Sequence, residues 1–335
     1  MKKILSLALA LVLVLSMSTV AFAAEGEETT YTDMSTVTLT KEYKLTNADT
    51  TSPAETFTFS ALTCTGVTDA AEGVTADNAP SPTIDSVSYT AGEAGGTNAK
   101  QNITITLPTY TSVGIYTYTF TETDGGTAGV TYRSAPITLV VTVIEQDGKV
   151  RVAAVHTENE GEKSGEFNNE YSAGSLSVKK NVTGIMGDKE KEFTVKVTFT
   201  APEGDTVREA ITYVDDTESK TIAAGEGWTG SKEVEITLKH DETVTFTNIP
   251  YGVTYTVAEN DYTENNGGYD AASYEFDDSN KKIDSASENV TITNNKGGVV
   301  DTGINMDSIP YILMLAVVFM GLFVFFSKKR MMREN

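Results

Sequence analysis

The chain has 335 residues, with 47 acidic groups against 25 basic ones and a formal net charge of −22. Such an acid excess argues against nucleic acid and anionic lipid as partners and for a soluble, self-repelling surface. One cysteine, Cys64, rules out an intrachain disulfide framework. The two histidines, His156 and His240, sit in no HExxH, GxSxG or glycine-rich phosphate motif, so neither a metal nor another cofactor is expected.

The chain opens with Lys2 and Lys3, an apolar run over residues 4–14, and Ala21-Phe22-Ala23. These are the charged, apolar and small-residue parts of a secretory signal peptide over residues 1–23, with a mature start at Ala24.

The first predicted strand is "VTLTKEYKL", residues 37–45. Side chains in a strand alternate between faces, so Val37, Leu39, Tyr43 and Leu45 share a face, and Lys41 shares it with them. Residues 66–100, rich in Gly, Ala, Asp and Ser, read as a long excursion with one weak strand at "SVSYT". In "GIYTYTFTE", Tyr116, Tyr118 and Phe120 share a face with Glu122. "TVIEQDGKVRV" predicts two strands around an Asp147-Gly148 hairpin turn. In "EFNNEY", Phe167 shares a face with Asn169.

After the short joint "EYSAGS" the pattern returns. "LSVKKNVTG" puts Lys180 with Leu176, Val178 and Val182, "GVTYTVAE" puts Glu259 with Val253, Tyr255 and Val257, and "TITNNK" puts Asn294 with Ile292. "TVREAI", near 206–211, is at most a short helical turn. The pattern predicts an all-β chain of two tandem β-sandwich domains, residues 31–171 and 174–296.

Each unit therefore carries one Lys, one Glu and one Asn on apolar faces, in the same order. Lys41 and Glu122 are 81 residues apart, Lys180 and Glu259 79 apart. A bare charge in a core is costly; burial favours a neutral lysine, which is a nucleophile, and a protonated glutamate, which can donate to a carbonyl oxygen. Set beside an Asn carboxamide, the amine can attack the carbonyl carbon, Glu can shuttle the proton, and ammonia can leave. The product is a Lys–Asn amide with no charged nitrogen left to bury. The competing reading of either triad, a Lys–Glu ion pair at a sheet rim with Asn as a turn residue, is weakened because six residues match in parity across two units.

These segments, "TLTK", "GIYTYTFTE", "FNN", "LSVKK", "GVTYTVAE" and "TITNN", resemble the Gram-positive major pilins with streptococcal-type isopeptide-linkage domains of the CnaB kind. The resemblance implies a self-catalysed, Glu-assisted Lys–Asn bond between first and last strands of each domain. Asn168 and Asn295 adjoin the acceptors, and parity favours Asn169 and Asn294.

The last segment, residues 299–335, holds "VVDTG" (Val299, Val300, Asp301, Thr302, Gly303), an 18-residue apolar run at 309–326 that just suffices to span a bilayer, and the basic residues Lys328, Lys329, Arg330 and Arg333. This order resembles a sortase sorting signal, which implies cleavage between Thr302 and Gly303 and transfer of Thr302 to an amine. Val300 departs from the usual proline and Val299 from the commonest leucine. The resembling pilins take the acceptor lysine shortly before the last strand of the first domain, which points to Lys163 in "GEKSGEF". The expected partners are sortase, other pilin subunits, peptidoglycan and host surface ligands, at the cell surface. The alternative is a monomeric, wall-anchored stalk or adhesin.

Overall fold

Thr, Val and Tyr favour strands because branched and aromatic side chains pack on a pleated surface. A computed structural model describes residues 33–159, 161–215, 218–264, 266–298 and 309–331, and it is mostly strand. The signal-peptide residues 1–23 and Val299, Val300, Asp301, Thr302 and Gly303 lie outside the described residues.

The first unit contains β1 (Thr36–Leu45), β2 (Glu55–Phe57), β3 (Thr63–Thr68), β4 (Thr83–Ile84), β5 (Val87–Tyr89), β6 (Lys100–Thr106), β7 (Gly114–Phe120), β8 (Val130–Thr131), β9 (Ile137–Gln146), β10 (Lys149–Asn159), β11 (Glu162–Lys163) and β12 (Glu166–Tyr171). One sheet runs β4-β6-β1-β12-β8 and the other β11-β10-β9-β7-β3, with β2 and β5 paired beside them. Their inner faces share one core, in which Leu39, Tyr43, Ile103 and Tyr171 meet Tyr116, Tyr118, Leu139 and Val141. The Asp147-Gly148 turn has positive φ at both residues, as a two-residue hairpin requires. The excursion at 66–100 holds β5 where "SVSYT" predicts a strand, and β4 besides.

The second unit contains β13 (Ala173–Thr183), β14 (Phe193–Thr200), β15 (Ile211–Asp215), β16 (Glu218–Ile222), β17 (Ser231–Leu238), β18 (Thr243–Pro250), β19 (Thr254–Glu259), β20 (Ser273–Phe276) and β21 (Ser287–Asn295). Its sheets run β16-β15-β18-β13-β21-β20 and β17-β14-β19, around a core that includes Leu176, Val197, Phe199, Phe246 and Ile292. "TVREAI" forms no helix: Val207 bridges to Trp228 and Ile211 opens β15, both side chains being fully buried.

In each unit the first strand pairs in parallel with the last, β1 with β12 and β13 with β21. Only Ser172 separates β12 from β13. The helix α1 (Ile309–Met331) follows, and its side chains at 311–326 are all exposed. Among the described residues no helix is long and apolar enough to cross a membrane.

Candidate cross-linking sites

Lys41 lies mid-way along β1, which is covered by β6 on one edge and β12 on the other. Alternation turns its side chain into the core, where it is 1% exposed. In the parallel pair, Lys41 is opposite Phe167 and Tyr43 is opposite Asn169. The Asn169 side chain thus stands diagonally beside the lysine, two residues on, and Lys41 Nζ donates to Asn169 Oδ1. Glu122 comes from the other sheet: it follows β7 and is pinned by a bridge to Phe59. Lys41 Nζ approaches Glu122 Oε1 at 2.5 Å. The second carboxylate oxygen accepts from the Arg133 backbone N–H at 2.7 Å and from Asn169 Nδ2 at 3.0 Å. Asn169 Nδ2 also donates to the Thr131 carbonyl at 2.8 Å. That donor pattern orients the carboxamide so that its oxygen faces the amine.

The second unit repeats this diagonal. Lys180 is opposite Ile292 and Val182 opposite Asn294, and Lys180 Nζ donates to Asn294 Oδ1. Glu259, the last residue of β19 in the opposite sheet, lies 2.8 Å from Lys180 Nζ. Here the carboxylate has that ion pair and no hydrogen-bond partner among the described residues. Contact at that distance without a well-aligned N–H···O makes this a charge contact more than a hydrogen bond.

An aromatic ring lies beneath each amine. Lys41 Nζ is 4.2 Å from the Phe57 centroid and Lys180 Nζ is 4.2 Å from that of Phe193. Phe57 is braced edge-on by Tyr43 and Tyr89, Phe193 by Tyr262 and Tyr269. Sequence reasoning did not single out these rings; the related stretches "ETFTF" and "EFTVKV", after each lysine, carry the signal.

Burial pushes the amine of Lys41 below the ordinary lysine range, against the Glu122 charge and hydrogen bond, and the Arg133 charge pushes the same way as burial. Burial does the same to Lys180, against Glu259. Burial thus shifts each amine toward its neutral form, in contact with a carboxamide and with a carboxylate within reach. Such a site can carry out amide exchange, since holding the groups together supplies the effective concentration a slow reaction needs.

Asn168 and Asn295 are exposed, as parity predicts, and Lys163 is exposed on β11, opposite Glu158 at the sheet edge. Cys64 is half-buried against the first core, and burial raises its thiol pKa. Among the described residues no group of His, Cys, Asp and Glu could hold a metal ion.

Residues 37–172 match the family described as Spy0128-like isopeptide containing domain. Residues 174–296 match a domain of unknown function, DUF7601. A curated pilin of Streptococcus pyogenes serotype M1 is 29% identical over 312 residues, which cover 88% of this chain and 90% of that protein. The crystal structure of the major pilin from Streptococcus pyogenes superposes with a TM-score of 0.52 at 24% identity, covering 80% of this chain and 100% of that one. The major pilin protein T3.2 of S. pyogenes serotype GAS13637 does so with a TM-score of 0.53 at 21% identity, over 79% and 99% of the two chains. At these identities the superpositions speak to the fold. Residues 37–172 thus match the Spy0128-like isopeptide containing domain family, and the chain is similar to a curated pilin along most of its length.

Proposed function

We propose that this chain is a pilin, a covalently polymerised shaft subunit built from two CnaB-type immunoglobulin-like domains, residues 31–171 and 174–296, each locked by a self-made Lys–Asn isopeptide bond. The carrying observation is the buried Lys–Glu–Asn contact, made twice in one strand register. The neutral amine of Lys41 or Lys180 attacks Cγ of Asn169 or Asn294. Glu122 or Glu259 takes a proton from the attacking nitrogen and returns one to the leaving –NH2. The C–N bond to the side-chain nitrogen breaks and one ammonia departs, so atoms balance with no co-reactant. The chain acts on itself and needs no external substrate.

The reading extends to assembly. A signal peptide directs export, and a sortase cleaves between Thr302 and Gly303 after α1 and the basic tail have held the precursor at the membrane. The support for this anchor is the order of the sequence, an apolar run at 309–326 followed by Lys328, Lys329, Arg330 and Arg333. Thr302 passes to a lysine of another subunit, for which exposed Lys163 is the candidate, or to peptidoglycan.

The test is the intact mass of residues 24–298. The wild type should be lighter than its sequence by two ammonia molecules, and Glu122→Ala and Glu259→Ala should each restore one. Full sequence mass in the wild type would remove the chemical basis of the reading. For assembly, cell-wall extracts should give a ladder of covalent multimers that Lys163→Arg abolishes.

A further inference from the structure

The loop at residues 121–129 joins Glu122 to β8, and both of its ends serve the first cross-link. At its start Glu122 is pinned by the Phe59 bridge and by Thr123 N–H donating to the Thr58 carbonyl at 2.9 Å. Beyond its end lie the Thr131 carbonyl, which accepts from Asn169, and the Arg133 N–H, which donates to Glu122. β8 is only two residues long and pairs with β12 through Val130 and Thr131 alone. Within the first unit the path between the two ends is held by local bonds, Gly126 N–H donating to Asp124 Oδ1 at 2.8 Å and Val130 N–H to the Thr127 carbonyl at 3.1 Å.

The second unit holds that path. Thr206 N–H donates to the Gly126 carbonyl at 2.8 Å, and Ala128 N–H donates to the Thr206 carbonyl at 2.9 Å, so Thr127 and Thr206 pair as a parallel bridge. Arg208 Nε donates to Thr127 Oγ1 at 3.0 Å. Ala128, a first-unit residue, is 1% exposed and packs in the second unit's core. On its other side the loop lies against the first unit: a Cβ at Gly125 would come 2.6 Å from Tyr132 Oη and 3.0 Å from Glu55 Oε1. The loop is clamped between units with no slack.

Among the described residues, no hydrogen bond from the first unit reaches the loop of the second site. The stretch after Glu259 closes on itself, with Tyr269 N–H donating to the Tyr262 carbonyl at 3.0 Å and Asp270 N–H to the Asn295 carbonyl at 2.8 Å. We infer that Thr206 and Arg208 are positioning residues for the first cross-link: docking of the folded second unit sets the loop that aims Glu122 and Asn169 at Lys41, so the Lys41–Asn169 bond closes after the second unit has folded. This rests on the isopeptide reading above and adds an order to it.

The test is time-resolved peptide mass spectrometry of the full-length chain during cell-free synthesis, following the two cross-linked peptides separately. Arg208→Ala combined with Thr206→Pro should slow the Lys41–Asn169 bond by about tenfold or more, the scale expected when reacting groups are misplaced by a fraction of an ångström to an ångström. The Lys180–Asn294 bond, made in the same molecules, should keep its wild-type rate. Ala128→Asp, which evicts the loop from the first-unit side, should do the same, and Arg208→Lys, which keeps a donor for Thr127, should restore the rate lost in Arg208→Ala. Amide exchange of β7 and β9 should stay at wild-type protection, reporting a folded first unit. If the first bond keeps its rate while the Ala128 amide loses protection, the inference is overturned. It is equally overturned if both bonds slow together. If neither bond forms in the wild type, the isopeptide reading itself falls.

Discussion

The two sites share a diagonal and differ in how the carboxylate is held. Glu122 accepts from a backbone N–H and from the Asn169 carboxamide, while Glu259, among the described residues, has the ion pair with Lys180 and no hydrogen-bond partner. What recurs is a lysine and an asparagine two registers apart on paired parallel strands, a glutamate from the facing sheet, and a ring 4.2 Å under the amine. Those are the parts that amide exchange needs. The extra hydrogen bonds at the first site come from the ends of a loop that both units hold, and they add orientation where the second site relies on packing.

The strongest way to break the comparison is to remove the lysines. Lys41→Met and Lys180→Met should each abolish a proposed bond between residues 128 or 114 apart. By the chain-entropy estimate for cross-links, each should lose about 5 kcal/mol of unfolding free energy. Lys180→Met should lose about 1–3 kcal/mol more than Lys41→Met, because it strands the Glu259 carboxylate without a hydrogen bond whereas Glu122 keeps Arg133 and Asn169. Urea unfolding midpoints of the two variants check both statements, and equal losses would mean that the two carboxylates are equally solvated.

A pH series sharpens the role of the amine. In Asn169→Ala the lysine stays buried and no bond can form. Its native pKa is lowered from 10.5 by burial, so below that native value both states are protonated and the folded state bears the whole desolvation cost. As pH rises through the native value toward 10.5, the unfolded state holds more protons and stability rises. The unfolding free energy of Asn169→Ala should therefore increase from neutral pH to pH 10, and adding Lys41→Met should flatten the profile. A flat profile in the single variant would show that Lys41 is not desolvated.

The smallest expected effects are at the rings. Phe57→Leu and Phe193→Leu keep most of the apolar volume and remove the π face, which should cost about 1–2 kcal/mol each in stability and slow the matching bond a few-fold. Their ammonia loss, timed during synthesis, should fall site by site. Slowing of the unmatched bond would point to a general loss of packing.

Much of this arrangement was legible from a period of two. Lys41, Lys180, Asn169 and Asn294 stand out because each has the parity of its apolar neighbours, and parity is what a pleated strand converts into burial. The same rule separates Asn169 from exposed Asn168 and Asn294 from exposed Asn295. The rings were not legible in that way, since alternation says which face a Phe is on but not which amine it meets across the core. Residues 206–211 mix helix formers with β-branched residues, and burial of Val207 and Ile211 settled them as extended. "TDGGT" reads as an ordinary turn, and its docking on Thr206 and Arg208 depends on a unit that begins some fifty residues later.

The one-residue joint at Ser172 has a mechanical consequence. β12 passes straight into β13, so tension entering at Lys163, the proposed acceptor, runs along β12 through Asn169, follows 11 residues from there to Lys180, and crosses the second bond to Asn294. With that bond closed, the short path carries the load. The stretch between Lys180 and Asn294, 114 steps along the chain, then hangs off it as an unloaded loop. Without the bond it would pay out roughly 400 Å of slack at about 3.4 Å per residue. A fibre made this way stretches like a chain of closed links, and the sheets around each link serve as housing.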